Sequence, residues 1–161
     1  MAWQFEKVFY AQPATAPKQI AFDGKYIAAD RLGVRNDRAC PNPVSKIVKA
    51  PNGCVMAVAG AIGDHFKKFC NWAQNNQEGE VPYPEDDNTT YVLFHKSGVI
   101  QEFLSDKYST DLTSHVQYAW GSGSSYALGA MASGKSAKQA VEIATKFDIY
   151  TGRGIDVIKL R

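Results

Sequence analysis

The order in which strand and helix patterns follow one another limits the folds open to this chain. Two strand pairs come first, at 19–22 with 25–29 and at 46–49 with 54–59. An amphipathic helix, a third strand pair at 91–94 and 99–103, two helices and a last strand follow. This order lacks the regular alternation of a doubly wound parallel sheet. It predicts an antiparallel α+β sandwich in which helices cover two stacked sheets.

Local signals support each of these elements. Asp23-Gly24 lies between two β-prone runs and predicts a type I′ hairpin, because that turn needs positive φ at both central residues. Ile62, Phe66, Phe69 and Ala73 have helical spacing. Segment 116–120 suits a strand, 126–132 a helix and 155–158 the closing strand. Ser136 with Gln139 three residues later forms a capping-box signature for the last helix.

Composition excludes several classes of protein. The chain has 161 residues with 45% hydrophobic and 21% charged residues, which suits one globular domain. A formal net charge of +2 gives no strong field for nucleic acid, and no apolar run is long enough to cross a bilayer. Three cysteines without a CxxC pair predict buried free thiols in a reducing compartment, and the histidines lack ligand spacing. We therefore expect no metal, cofactor, specific nucleic acid or membrane partner.

Residues 129–136 match the phosphate-loop pattern G-x-x-x-x-G-K-[ST]. That loop binds phosphate where a strand leads into a helix start. Here 126–132 is typical of a helix. A bend between two helices, with Ser136 as the cap of the second, therefore explains the match to the pattern. We therefore expect no nucleotide site.

Five motifs in a fixed order carry a family resemblance. They are Ile27-Ala28-Ala29-Asp30-Arg31, Ser45-Lys46-Ile47, Val58-Ala59-Gly60, Gly121-Ser122-Gly123-Ser124-Ser125-Tyr126-Ala127, and the ending that runs from Ala144 to Asp148 through Tyr150-Thr151-Gly152 to Ile155-Asp156-Val157-Ile158. From Ile20 onward the chain resembles proteasome β subunits and HslV peptidases, and it is most similar to short HslV-like proteins of bacteriophages. The resemblance implies the four-layer α/β/β/α sandwich of the N-terminal-nucleophile hydrolases.

The same resemblance implies a threonine-type peptidase site. In that family a threonine hydroxyl attacks the peptide bond while its freed α-amine serves as the base. Asp30 resembles the family's aspartate, Lys46 its lysine and Gly60 its oxyanion glycine. Ser122, Asp148 and Thr151 resemble the family residues that position the amine. Without the resemblance, Asp30 and Lys46 would suit a surface ion pair, and Asp148 with Thr151 a helix-end turn.

The nucleophile departs from the family pattern. Reflection of Asp30 through the predicted Asp23-Gly24 turn leads to Pro17, where the family has its threonine. Short relatives carry a Thr-Thr pair where Lys18 and Gln19 stand here. Thr15 is the nearby threonine, and it serves as nucleophile only if the chain is cleaved before it; Pro17 would oppose regular pairing of a strand that begins there.

Two functions therefore stay open. Residues 1–17 form either a propeptide or a docking arm, and 18–161 form the proteasome-β/HslV-like domain. In one reading the chain is a threonine endopeptidase matured by cleavage before Thr15. In the other, favoured by the displaced threonine, it is a degenerate assembly or virion component whose arm stays attached and docks on a protein surface. We expect a homo-oligomer or larger assembly in the cytoplasm of a bacterial host, or in a virion.

Overall fold

Thirteen strands and three helices make up the part of the chain that the computed structural model describes, residues 14–15, 19–35, 38–113 and 116–160. The strands are β1 (Ala14–Thr15), β2 (Ile20–Phe22), β3 (Tyr26–Asp30), β4 (Val34–Arg35), β5 (Arg38–Ala39), β6 (Ile47–Lys49), β7 (Val55–Ala59), β8 (Ala61–Ile62), β9 (Thr90–Phe94), β10 (Ile100–Phe103), β11 (Ser109–Leu112), β12 (Tyr118–Trp120) and β13 (Ile155–Lys159). The helices are α1 (Asp64–Gln74), α2 (Ser124–Ala132) and α3 (Ala137–Phe147). This mixture confirms the predicted α+β class.

The strands form three antiparallel sheets. One has the order β12-β2-β3-β13, the second β11-β10-β9-β7-β6, and the third, made of two-residue strands, β5-β4-β1-β8. All three predicted strand pairs are present, as β2–β3, β6–β7 and β9–β10. The sequence patterns missed the short strands β4, β5 and β8 and the polar strand β11, because none of them carries an apolar alternation.

The first hairpin has a different turn from the predicted one. Asp23 N donates to Tyr26 O at 3.2 Å, so Gly24 and Lys25 are the two central residues. Gly24 has φ +99°, and glycine at the first central position is the mark of a type II′ turn. The Asp23 carboxylate accepts from Lys25 N (2.9 Å) and Tyr26 N (2.8 Å), which fixes this turn. The predicted type I′ turn centred on Asp23-Gly24 is therefore wrong.

The corrected turn shifts the register of the hairpin by two residues. Ile20 pairs with Ala29, so Gln19 stands opposite Asp30. Asp30 N donates to Gln19 O at 3.2 Å. The reflection that placed Pro17 opposite Asp30 is therefore wrong; Pro17 and Lys18 themselves lie outside the described residues.

Alternation along β2 and β3 separates two apolar cores. Ile20, Phe22, Ile27 and Ala29 pack with Val55, Ala57, Val92, Phe94 and Ile100 of the second sheet. Ala21 and Ala28 point the other way and pack against α2 and α3. A third core joins α1 to the opposite face of the second sheet through Phe66, Phe69, Met56, Leu93 and Phe103.

The helices follow the predicted periodicities, with one exception. Phe66, Phe69 and Ala73 are buried on α1, whereas Ile62 belongs to β8, because Gly63 is still extended and the helix begins at Asp64. Ser136 caps α3 with the full capping box. Gly129 lies within α2, so the strand–loop–helix context of a phosphate loop is absent at 129–136.

Two further observations concern the chain outside this core. Within the described ranges, none of the helices is long and apolar enough to cross a membrane. If residues 1–17 are a docking arm, its expected anchors are the aromatic side chains of Trp3, Phe5 and Phe9, and these three residues lie outside the described residues.

Candidate active site

Asp30 and Lys46 form a buried ion pair where β3 ends and β6 begins. Lys46 Nζ lies 2.5 Å from Asp30 Oδ1, and both side chains are fully buried. Asp30 also accepts backbone N–H groups from Gln19, Leu32 and Gly152, each at 3.1 Å. The predicted pairing is confirmed. The family resemblance also predicts that this pair faces an open cleft. That prediction and the alternative of a surface ion pair are both wrong, because solvent reaches neither side chain.

Burial and pairing act in opposite directions on this pair. Burial lowers the pKa of Lys46, while the neighbouring Asp30 carboxylate and, more weakly, Asp148 raise it. Burial raises the pKa of Asp30, while Lys46 and the backbone N–H groups of Gly152 and Leu32 lower it. The pair therefore holds a lysine whose ammonium form is disfavoured by burial and favoured by its carboxylate partner.

Asp148 forms a second polar cluster at the end of α3. Its Oδ2 accepts from Ser122 Oγ at 2.6 Å and from Thr151 Oγ1 at 2.7 Å. Tyr150 N donates to Oδ1 at 3.1 Å. Burial raises the pKa of Asp148, but these hydrogen bonds outweigh it, and the pKa is lowered overall. The three residues predicted to position an amine therefore lie together. They also form the helix-end turn that was the alternative, since Thr151 N donates to Asp148 O.

Gln19 lies between the two clusters, and the sequence patterns gave it no role. It is fully buried, and its backbone N–H reaches Asp30 Oδ1. A Cβ built on Gly123 would lie 2.4 Å from Gln19 Oε1 and 3.2 Å from Asp148 Oδ2, so the amide oxygen lies beside the second cluster. Among the described residues, Gln19 Oε1 has no hydrogen-bond partner. The signal that could have found Gln19 was its place opposite Asp30, which the misjudged turn hid.

Gly60 ends β7 with its backbone at φ +147°. A Cβ at this position would lie 2.5 Å from Thr89 Cα and 2.2 Å from Thr89 Oγ1, so glycine is required there. Thr89 also accepts the backbone N–H of Ala61 on its Oγ1 at 2.9 Å. The predicted oxyanion glycine thus lies in a tight corner between β7 and β8.

Thr15 belongs to a different sheet from Asp30. It pairs with Val34 of β4 on one side and Ala61 of β8 on the other, while Ala14 pairs with Ile62. The backbone of β1 therefore passes directly beside the Gly60 corner. The residue opposite Asp30 is Gln19, whereas Thr15 lies outside the first hairpin.

The described residues contain no group of three or more His, Cys, Asp or Glu side chains placed to hold a metal ion. Cys40 and Cys70 are buried free thiols, and Cys54 is half-buried.

Solved structures match this arrangement, whereas no protein-family model and no curated protein matches the chain. Thiobacillus denitrificans BPH aligns with a TM-score of 0.59 and 22% identity over 89% of this chain and 98% of its own. The same protein in complex with epoxomicin gives a TM-score of 0.61 and 21% identity over 89% of this chain and 99% of its own. Eukaryotic HslV from Trypanosoma brucei aligns with a TM-score of 0.65 and 15% identity over 88% of this chain and 97% of its own. At these identities the likeness is one of fold, and the chain has an HslV-like, proteasome-related fold.

Proposed function

We propose that this chain is a catalytically degenerate subunit of proteasome/HslV-like fold that serves as an assembly or structural component. The observation that carries this proposal is Gln19 opposite Asp30, where the chain offers a carboxamide and a peptide N–H. A carboxamide is neither nucleophile nor base at neutral pH, and a peptide nitrogen cannot replace the free α-amine that the family uses.

The position of β1 supports the same proposal. Thr15 would have to leave its two strand partners and become a chain terminus before it could reach the Asp30–Lys46 pair. As part of an intact arm, 14–15 instead fills the space between β4 and β8. We infer that residues 1–17 act as a docking arm and 18–161 as the domain, with β1 as the part of the arm that joins the domain's sheet.

The alternative is an active threonine endopeptidase matured by cleavage before Thr15. The preserved charges favour it, because Asp30 with Lys46 and Ser122 with Asp148 keep the contacts that such a site would use. A degenerate protein can keep the same contacts for stability, since a buried ion pair is costly to break once it is formed.

A four-layer α/β/β/α arrangement is part of the proposal. Its support is the sequence of cores, with α2 and α3 on the first sheet, the first sheet on the second, and α1 on the far face of the second.

Exposed apolar side chains support assembly into a homo-oligomer or larger protein complex. Ile149 is 83% exposed, and the rings of Tyr126 and Phe147 stack nearby at 5.4 Å between centroids without being covered. Because clustered exposed apolar side chains mark protein–protein contact sites, this end of α3 is a candidate contact face. By resemblance to short phage HslV-like proteins, the assembly would be cytoplasmic in a bacterial host or part of a virion.

The deciding experiment is the intact mass of the purified protein, before and after incubation with epoxomicin, together with an assay of short-peptide hydrolysis. We expect a chain that still carries residues 2–14, no epoxomicin adduct and no hydrolysis. A mature N-terminus at Thr15 would overturn the proposal, if hydrolysis were then lost in Thr15→Ala and kept in the control Thr110→Ala.

A further inference from the structure

The corner between β7 and β8 is held by a side chain from the start of β9. Thr89 Oγ1 accepts the Ala61 N–H at 2.9 Å, although Ala61 is 28 positions away in sequence. Thr89 is 2% exposed and leaves no room for a Cβ on Gly60. The corner therefore rests on the backbone of residue 89 and is tied to its hydroxyl.

Asp86 fixes the direction of that hydroxyl. Thr89 Oγ1 donates its proton to Asp86 Oδ2 at 2.8 Å. A hydroxyl has one proton and two lone pairs, so once its proton is bound to Asp86 a lone pair is left for Ala61 N–H. Asn88 N donates to Asp86 Oδ1 at 3.0 Å, which holds the carboxylate, and Thr89 N donates to the Asp86 backbone O at 3.2 Å, which closes the turn between the two residues.

The edge fixed in this way is the edge to which the arm binds. Ala61 pairs with Thr15 and Ile62 with Ala14. We propose that Asp86 and Thr89 are positioning residues that hold the Gly60–Ala61 corner in the shape that β1 requires. This proposal rests on the proposed function in one respect, namely that residues 1–17 stay attached to the domain.

Neither residue belongs to the motifs that carry the family resemblance. Asp86 and Asn88 lie in the polar stretch between α1 and β9, which contains no helix or strand in the structure. The segment between α1 and β9 thus supports the Gly60–Ala61 corner through the exposed carboxylate of Asp86 and the buried hydroxyl of Thr89.

The test is amide hydrogen exchange of the full chain, measured by NMR for Thr89→Val, Thr89→Ser and Asp86→Ala. Valine keeps the shape of threonine but cannot accept the Ala61 N–H, so exchange at Ala61, Ile62, Ala14 and Thr15 should rise about tenfold. Thr89→Ser keeps the hydroxyl and should restore protection. Thr90→Val, the same change one residue later, serves as the control, and Ala21 and Ala28 in the first hairpin report on the whole fold.

Two results would overturn the proposal. One is unchanged exchange at Ala61 and Thr15 in both Thr89→Val and Asp86→Ala. The other is an equal rise at Ala21 and Ala28, which would mean general destabilisation. If Thr89→Val fails to fold, Asp86→Ala carries the test, because Asp86 is exposed. Exchange at Ala61 reads the corner even if the arm is cleaved, so failure here is distinguishable from failure of the proposed function.

Discussion

Lys46 Nζ lies 2.5 Å from Asp30 Oδ1 in an interior that solvent does not reach. Removal of the lysine would leave a buried carboxylate without its charge partner. We expect Lys46→Met to lower the free energy of unfolding by about 3–5 kcal/mol. Lys49→Met, at the exposed end of the same strand, should change it by no more than about 0.5 kcal/mol. Urea denaturation of both variants measures the difference.

A double variant separates lost charge from lost packing. Asp30→Asn combined with Lys46→Met removes both charges, so it should be more stable than Lys46→Met alone. Equal stability of Lys46→Met and Lys49→Met would refute the buried ion pair.

Two glycines make opposite predictions for the same substitution. Gly60→Ala places a Cβ 2.5 Å from Thr89 Cα at a φ of +147°, so we expect a loss of about 3 kcal/mol or more. Gly129 lies in α2 with no atom within 4 Å of an added Cβ, so Gly129→Ala should stabilise by about 0.5–1 kcal/mol. Thermal and urea unfolding test both. A stabilising Gly60→Ala would show that the corner is looser than described.

Asp148 should make stability depend on pH in the acid range. Its pKa in the folded chain is lowered from the ordinary value of 3.8, so the folded state favours the ionised form. The resulting stability is present above pH 3.8 and is lost as pH falls through the lowered pKa. Wild type should therefore lose more of its melting temperature than Asp148→Asn on acidification from neutral pH to pH 2. The two melting curves should converge in acid; a constant gap would contradict the assignment.

Residues 129–136 should not bind nucleotide, although they match the phosphate-loop pattern. Gly129 is helical and Ser136 uses its side chain to cap α3, so the backbone N–H groups are not arranged around a phosphate. Isothermal titration with MgATP or MgGTP should give no binding heat for the wild type, and none for Lys135→Ala. Tight binding that is lost in Lys135→Ala but kept in Lys138→Ala would refute this.

Much of the fold followed from local periodicity. Strand pairs and helices whose apolar residues face a core were predicted because period and burial coincide, as on α1 with Phe66 and Phe69. The register of the first hairpin was not, because the Asp23 carboxylate selects the turn through hydrogen bonds to Lys25 and Tyr26. Hydrogen bonds from a single side chain do not appear in the pattern of apolar and polar residues, so the pattern could not predict this turn.

The candidate site likewise contains residues that the sequence predicted and residues that it did not. The family resemblance implied that Asp30 meets Lys46 and that Asp148 lies with Ser122 and Thr151, and the structure brings both groups together. Gln19 was missed because the wrong turn hid its place opposite Asp30. Thr89 was missed because its importance depends on a contact with Ala61, which is distant in sequence.

The central place of β1 in its sheet has a consequence for how the chain reaches its folded state. Ala14 and Thr15 leave the ribosome early, but their partners Val34, Ala61 and Ile62 are synthesised later. This segment therefore cannot complete its pairing until Ile62 has been synthesised. Since contacts between distant residues form slowly, β1 remains unpaired until β4 and β8 are available, and any fusion at the N-terminus acts on a strand that waits for those partners.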